Sequence, residues 1–229
     1  MTRAALLADL AARIDGLASP HPLRVAVDGV DGAGKTYFGD ELGSALESLG
    51  RPVIRSSVDG FHRPRASRHA RGRTSPEGYY LDSYDYDQLR SALLVPLGPG
   101  GSRSYRTAVF DHRTDLPVDA PVRHAPEDAV LVLDGLFLHR PELRPHWDFS
   151  VFLRVDFEES VARMGVRDGT SPDPADASNH RYVEGQRIYF ADASPEQHAT
   201  VVVDNNDLAR PFALPRSDIG SVRGGNSTR

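Results

Sequence analysis

Lys35 is the only lysine in a chain of 229 residues, and it stands inside Gly29-Val30-Asp31-Gly32-Ala33-Gly34-Lys35-Thr36. The remaining 26 of the 27 Lys+Arg residues are arginines. The spacing G-x-x-x-x-G-K-[ST] is that of a phosphate-binding loop. Such a loop wraps backbone N–H groups around phosphate oxygens, which leaves room for a thin lysine stem but little for a planar guanidinium. A coding bias against lysine accounts for the arginines but not for the position of the exception. In this motif Lys35 is expected to bridge the β- and γ-phosphates of a nucleotide, and the Thr36 hydroxyl to ligate Mg²⁺. The expected nucleotide-binding set is Gly29, Asp31, Gly32, Ala33, Gly34, Lys35, Thr36 and Tyr37.

Two carboxylates stand where a second and third part of such a site belong. Asp134 follows the apolar run Val130-Leu131-Val132-Leu133, and a carboxylate there is expected to hold Mg²⁺ directly or through water. Asp59, in Ser57-Val58-Asp59-Gly60-Phe61-His62, is placed to accept a proton from an acceptor hydroxyl and to aim it at the γ-phosphate. Each is followed by glycine, so an Asp-Gly turn is the competing reading. Arg163 and Arg167 lie four apart on a predicted helix and share a face, from which both are expected to reach the transferring phosphoryl group. A solvated helix face is the alternative there. Five arginines (63, 65, 68, 71 and 73) and two histidines (62 and 69) crowd residues 62–73, as an anion-binding rim or as a solvated loop. Phe110-Asp111-His112-Arg113-Thr114-Asp115 combines an aromatic with hydrogen-bonding groups, which suits an acceptor base or sugar and equally a polar hairpin turn. The histidines lack zinc-ligand spacing, and no zinc site is expected.

The elements that must position these residues follow from periodicity. Leu6, Leu7, Leu10, Ile14 and Leu17 predict an amphipathic helix over residues 3–17. Leu23 to Val27 predicts a buried strand, the phosphate loop follows, and a helix is expected from Lys35 to Leu49. Further strands are expected over 52–58, 129–133, 149–155 and 200–203, with a strand or hairpin arm over 104–110. Helices are expected over 85–94, 158–166 and 182–190, with residues 62–80 as a loop and Gly169-Thr170-Ser171-Pro172 as a mobile tip. Strands separated by helices predict a three-layer α/β/α domain on a mainly parallel five-stranded sheet, with a small helical lid. Ligands on such sheets bind at the carboxyl ends of the strands, where Gly29, Asp59 and Asp134 converge. One domain is expected over 1–210, with the lid at about 163–190 and a polar, disordered tail over 211–229.

A net charge of −5 and a pI near 6.0 give no general attraction to nucleic acid or an anionic membrane. Cysteine is absent, which removes disulfides and thiolate chemistry. No apolar run approaches a membrane span, and the N-terminus lacks the layout of a signal peptide, so a cytoplasmic enzyme is expected. Self-association into a homo-oligomer is left open by the sequence.

From about Leu23 to Asp207 the chain resembles the uridine kinase and phosphoribulokinase group of P-loop kinases. Val58-Asp59-Gly60-Phe61-His62 is similar to the segment carrying the catalytic aspartate of uridine kinases and bacterial pantothenate kinases. Val109-Phe110-Asp111 resembles a nucleoside-contacting tyrosine–aspartate segment, with phenylalanine in place of tyrosine. Val132-Leu133-Asp134-Gly135 resembles the acid–glycine after the third strand, with Asp where uridine kinases usually carry Glu. Arg163 to Asp168 resembles the arginine-rich lid run, and Thr200 to Asn205 the last strand, after which adenine binds. The resemblance implies ATP and Mg²⁺ as cofactors, Asn205 beside the nucleotide, and an acceptor site drawn from Asp59, Phe61, His62, Phe110, His112 and Arg113. It also implies Lys35, Asp59, Arg163 and Arg167 as the catalytic group. The expected reaction is γ-phosphoryl transfer to a hydroxyl of a small molecule: a nucleoside, a sugar-like alcohol or sugar phosphate, or pantothenate. A regulatory ATPase with water as its only acceptor is the competing class. Asn205-Asn206-Asp207-Leu208 does not supply the N-K-x-D that reads guanine.

Overall fold

The computed structural model describes residues 2–219. Its centre is a six-stranded sheet built from β1 (Leu23–Gly29), β2 (Val53–Ser57), β3 (Val130–Gly135), β4 (Phe149–Arg154), β5 (Val201–Asp204) and β6 (Phe212–Ala213). The strand order is β6-β5-β4-β1-β3-β2, and all pairings are parallel except β5 with β6. The five expected parallel strands are therefore joined by one short antiparallel strand at an edge. Every residue of β1 and β3 is buried, as expected for a sheet covered on both faces.

Alternation along the strands divides the core in two. Val25, Val27, Val130 and Val132 pack beneath α1 (Arg3–Asp15) and α2 (Lys35–Ser48), against Leu10, Phe38 and Leu42. Ala26, Leu131, Leu133 and Phe152 face the opposite layer, where Tyr79, Tyr80, Phe137 and Tyr189 gather. Helix α1 begins because the Thr2 hydroxyl accepts the Ala5 N–H at 3.2 Å, capping one of the orphan donors of its first turn.

Two expectations are corrected here. Residues 62–80 are not all loop: α3 (Pro76–Asp82) begins within them, capped by the Ser75 hydroxyl and started by Pro76 at its first position. Its two buried tyrosines, Tyr79 and Tyr80, supply the burial that short polar segments lack. The tail after 210 is ordered through Ile219: Phe212 and Ala213 pair with Asp204 and Val203, and the Leu214 N–H donates to the Val202 carbonyl at 2.8 Å. Residues 220–229 lie outside the described residues. The two helices of the expected lid are α4 (Phe157–Asp168) and α5 (His180–Ala193). No helix among the described residues is long and apolar enough to cross a membrane.

The chain passes from one side of β1 to the other between β3 and β4, so a crevice opens beyond the carboxyl ends of β1 and β3. Register brings the expected site residues to that edge: Val27 and Ser57 both lie opposite Asp134, and Gly29 lies opposite Leu153. Leu10 of α1 is fully buried. Leu10→Ala is expected to destabilise the fold by about 2–5 kcal/mol, read as a lower urea midpoint at unchanged slope.

Candidate active site

The phosphate loop is shaped by glycines that other residues could not replace. Gly32 and Gly34 hold φ of +68° and +84°, and a Cβ on Gly32 would lie 2.3 Å from the Ser160 carbonyl oxygen of α4. Gly34 is also the N-cap of α2, so the positive end of that helix opens onto the loop. Lys35 turns back over it, its Nζ donating to the Val30 carbonyl at 2.7 Å. Burial pulls the Lys35 pKa below the ordinary lysine value, against the carboxylates of Asp31, Asp28, Asp134 and Asp59, which raise it. A part-buried ammonium beside a glycine loop that opens a helix is the complement of a polyphosphate.

The Thr36 hydroxyl donates to Asp134 Oδ2 at 2.9 Å. These two oxygens are hard donors of the kind Mg²⁺ takes, one from each side of the crevice. The second oxygen of Asp134 accepts from Arg55 Nη2 at 2.9 Å, and the same guanidinium binds Asp40 of α2. Arg55 thereby ties β2, β3 and α2 together behind the Thr36–Asp134 pair.

Asp59 lies in the 3₁₀ turn Val58–Phe61 that follows β2, and its side chain is 58% exposed. The Tyr84 hydroxyl points at it from 3.4 Å. Burial, with Asp59 next in weight, pushes the Tyr84 pKa well up, so the phenol stays protonated as a donor. The His62 ring lies 4.5 Å from the Tyr84 ring and 4.7 Å from the His112 ring, forming an aromatic ledge beside Asp59. Burial lowers the His62 pKa, opposed by the hydrogen bond to the Asp59 carbonyl, so the ledge is neutral near pH 7 at that ring. Phe110 is buried under the turn that carries His112, and the Val109 N–H donates to the Gly60 carbonyl at 2.9 Å, which fastens this segment to the Asp59 turn. Arg113 is exposed.

Several expected site residues have other positions. Phe61 is fully buried in the core, because the 3₁₀ turn directs it inward, and it cannot line an acceptor pocket. Asn205 is also fully buried: its amide donates to the Ala33 carbonyl at 2.8 Å and accepts from Arg3, so it braces the phosphate loop from behind. Arg163 and Arg167 share a helix face but diverge. Arg163 donates to the carbonyls of Asn205 and Asn206 and pairs with Glu159, which directs it to the loop after β5 and away from a transferring phosphoryl group. Arg167 is exposed, pairs with Asp168 and feels the charges of Asp31 and Asp59. Tyr37 is 78% exposed on the first turn of α2.

Sequence reasoning missed Arg55, Tyr79, Tyr84, Asp28 and His139. Tyr79 donates to Asp31 of the phosphate loop at 2.7 Å. Four tyrosines within 79–86 were a visible signal, and so was Asp28, a carboxylate ending an apolar strand just as Asp134 does.

No family model matches the chain. It is 22% identical over 212 residues to the uridine kinase of Brevibacillus brevis, spanning 88% of this chain and 94% of the relative. Among solved structures it matches a possible uridine kinase from Bacillus stearothermophilus with a TM-score of 0.68 and 22% identity, over 86% of this chain and 97% of that one. It also matches phosphoribulokinase from Rhodobacter spheroides with a TM-score of 0.55 and 16% identity, over 81% and 70% of the two chains. The chain has the uridine kinase and phosphoribulokinase-like P-loop kinase fold. The relationship spans nearly the whole of the bacterial relative and supports phosphotransferase activity. In this kinase fold the phosphate loop, the Thr36–Asp134 pair and the Asp59 turn lie along one sheet edge.

The solitary buried amine generates two tests. Amine-acylating reagents are expected to modify only Lys35 and the N-terminal amine, with MgATP protecting Lys35 alone, as read by peptide mass mapping. Since burial disfavours the charged amine, Lys35→Met is expected to raise the melting temperature of the ligand-free protein while abolishing nucleotide binding, read by thermal unfolding and titration calorimetry.

Proposed function

We propose that the chain is an ATP- and Mg²⁺-dependent kinase that transfers a phosphoryl group to a hydroxyl of a nucleoside or related sugar-like alcohol. The observation that carries this reading is the exposed Asp59 carboxylate beside the His62–His112–Tyr84 ledge, close enough to Lys35 for its charge to act there. Bound MgATP supplies the phosphoryl group and the neutralising cation. Lys35 and the N–H groups of the loop hold the phosphates, and Thr36 and Asp134 hold the cation. Asp59 accepts the proton of the acceptor hydroxyl as its oxygen bonds to phosphorus, and ADP departs with the electrons of the broken P–O bond. Arg167, on the exposed end of α4, supplies positive charge from the far side. The tilted, part-buried rings of His62 and His112 offer an aromatic contact to a base or a sugar face.

One observation favours a second acceptor class. Among the described residues Arg63, Arg65, Arg73 and Arg113 form no ion pair, whereas Arg68 and Arg71 pair with Asp115 and Asp82. The Arg65 N–H donates to Asp115 at 2.8 Å, which docks this arginine loop against the turn carrying Arg113. Unpaired guanidiniums at that rim suit a phosphate carried by the acceptor.

Acceptor-dependent ADP release over a panel of nucleosides, sugars, pantothenate and their phosphates tests both readings. Stimulation by a nucleoside or sugar supports the first. Stimulation confined to phosphorylated alcohols, with Arg113→Ala raising their KM about tenfold, supports the second. ADP release that no alcohol stimulates would identify a hydrolytic ATPase and sink both. Asp59→Asn is expected to keep ATP binding and to lower kcat at least about 10²-fold; wild-type turnover in that variant would remove Asp59 from the reaction.

A further inference from the structure

We propose that Tyr189 and Gln186 of α5 are positioning residues for the phosphate loop, acting through the two carboxylates Asp28 and Asp31. The proposal rests on the reading of that loop as the nucleotide site. Asp28 is the penultimate residue of β1 and is fully buried. Its Oδ1 accepts the N–H of Gly29, the first residue of the loop, at 2.7 Å. Its Oδ2 accepts the Tyr189 hydroxyl at 2.5 Å, His139 Nδ1 at 2.8 Å and the His139 backbone N–H at 3.1 Å. One carboxylate therefore joins the entry of the loop to α5 and to the segment after Asp134.

Three residues further along the chain, Asp31 repeats the arrangement. Its Oδ2 accepts the Tyr79 hydroxyl at 2.7 Å and Gln186 Nε2 at 3.2 Å. Gln186 and Tyr189 are three apart on α5 and so lie on one face, aligned with two loop carboxylates that are also three apart. The seam between Val30, Asp31, Met164 and Gln186 encloses only about 10 Å³ of open space. Both helices of the expected lid are thus packed on the loop, and α5 is a strut of it.

Energetics separates this role from simple packing. A buried carboxylate costs several kcal/mol unless donors surround it, and an apolar pair of equal volume is often no less stable. What the four donors on Asp28 add is orientation of the Gly29 peptide. The backbone also bears strain in reaching this arrangement. Phe137, fully buried, holds a left-handed φ of +63°, a conformation unfavourable for a bulky residue. That turn inserts its ring among Tyr79, Tyr80 and Tyr189 and delivers His139 to Asp28.

The test compares two hydroxyl deletions in one aromatic cluster. Tyr80 lies 5.9 Å from Tyr189, ring to ring, and bonds Asp192 of the same helix at 2.6 Å, but it does not touch the loop. Binding of MgADP is measured by titration calorimetry, and stability by thermal unfolding, for Tyr189→Phe, Tyr80→Phe and Gln186→Met. The expected result is that Tyr189→Phe weakens MgADP binding about tenfold and Gln186→Met about threefold, while Tyr80→Phe leaves it within about twofold at a similar loss of thermal stability. Wild-type affinity in Tyr189→Phe, or equal weakening in Tyr80→Phe, overturns the proposal. Should Tyr189→Phe fail to fold, wild-type affinity in Gln186→Met overturns it instead. A wild-type protein that binds no nucleotide overturns the nucleotide-site reading first, and this inference with it.

Discussion

A single ammonium group buried in a loop of backbone N–H donors sets the terms for the rest of the molecule. Lys35 loses its hydration there, and only nearby negative charge keeps the arrangement tolerable. Four carboxylates answer it, from Asp28, Asp31, Asp59 and Asp134. Each of the four must in turn be held, and the holders come from different parts of the chain. Arg55 and Thr36 hold Asp134, Tyr79 and Gln186 hold Asp31, Tyr189 and His139 hold Asp28, and Tyr84 reaches Asp59. The arrangement radiates from one charge, and the parallel sheet suits it because all its strand ends deliver residues to one edge.

Much of this was legible in the sequence, for identifiable reasons. Lys35, Thr36, Asp59 and Asp134 lie in patterns set by local geometry: a glycine loop opening a helix, and acids ending apolar strands. Local rules also located the five parallel strands. The residues that escaped make contacts across long separations, such as Gln186 with Asp31 and Tyr189 with Asp28. Neither tyrosine nor glutamine on a helix announces a partner 155 or 161 residues away. Asn205 and Phe61 show the reverse case, in which a segment is recognised but the backbone directs the side chain elsewhere. The helix Pro76–Asp82 was hidden among arginine- and proline-rich neighbours, although Ser75-Pro76 is itself a helix-start signal.

The two arginines of α4 show how a shared face can still serve two tasks. Arg163 is drawn back by the carbonyls after β5 and stabilises the loop on the nucleotide side. Arg167, one turn on, bonds its neighbour Asp168 through Nε and Nη2 and stays exposed. A motif read as a pair thus resolves into a structural arginine and an exposed one, because Nε and Nη2 of the first are already taken by Glu159 and the carbonyls of Asn205 and Asn206.

The short strand Phe212–Ala213 bears on solubility. A sheet edge presents a row of unsatisfied N–H and C=O groups that can recruit another chain, and natural proteins cover such edges. Here two residues cover an apolar strand, Val201-Val202-Val203, reinforced by the Leu214 N–H on the Val202 carbonyl. Proteolysis just before Pro211 would leave the sheet edge that carries Gly29 and Asp134 untouched and uncover a β-branched run of the kind that seeds intermolecular pairing. The residues that look most dispensable for phosphoryl transfer are then the ones that keep the enzyme from aggregating.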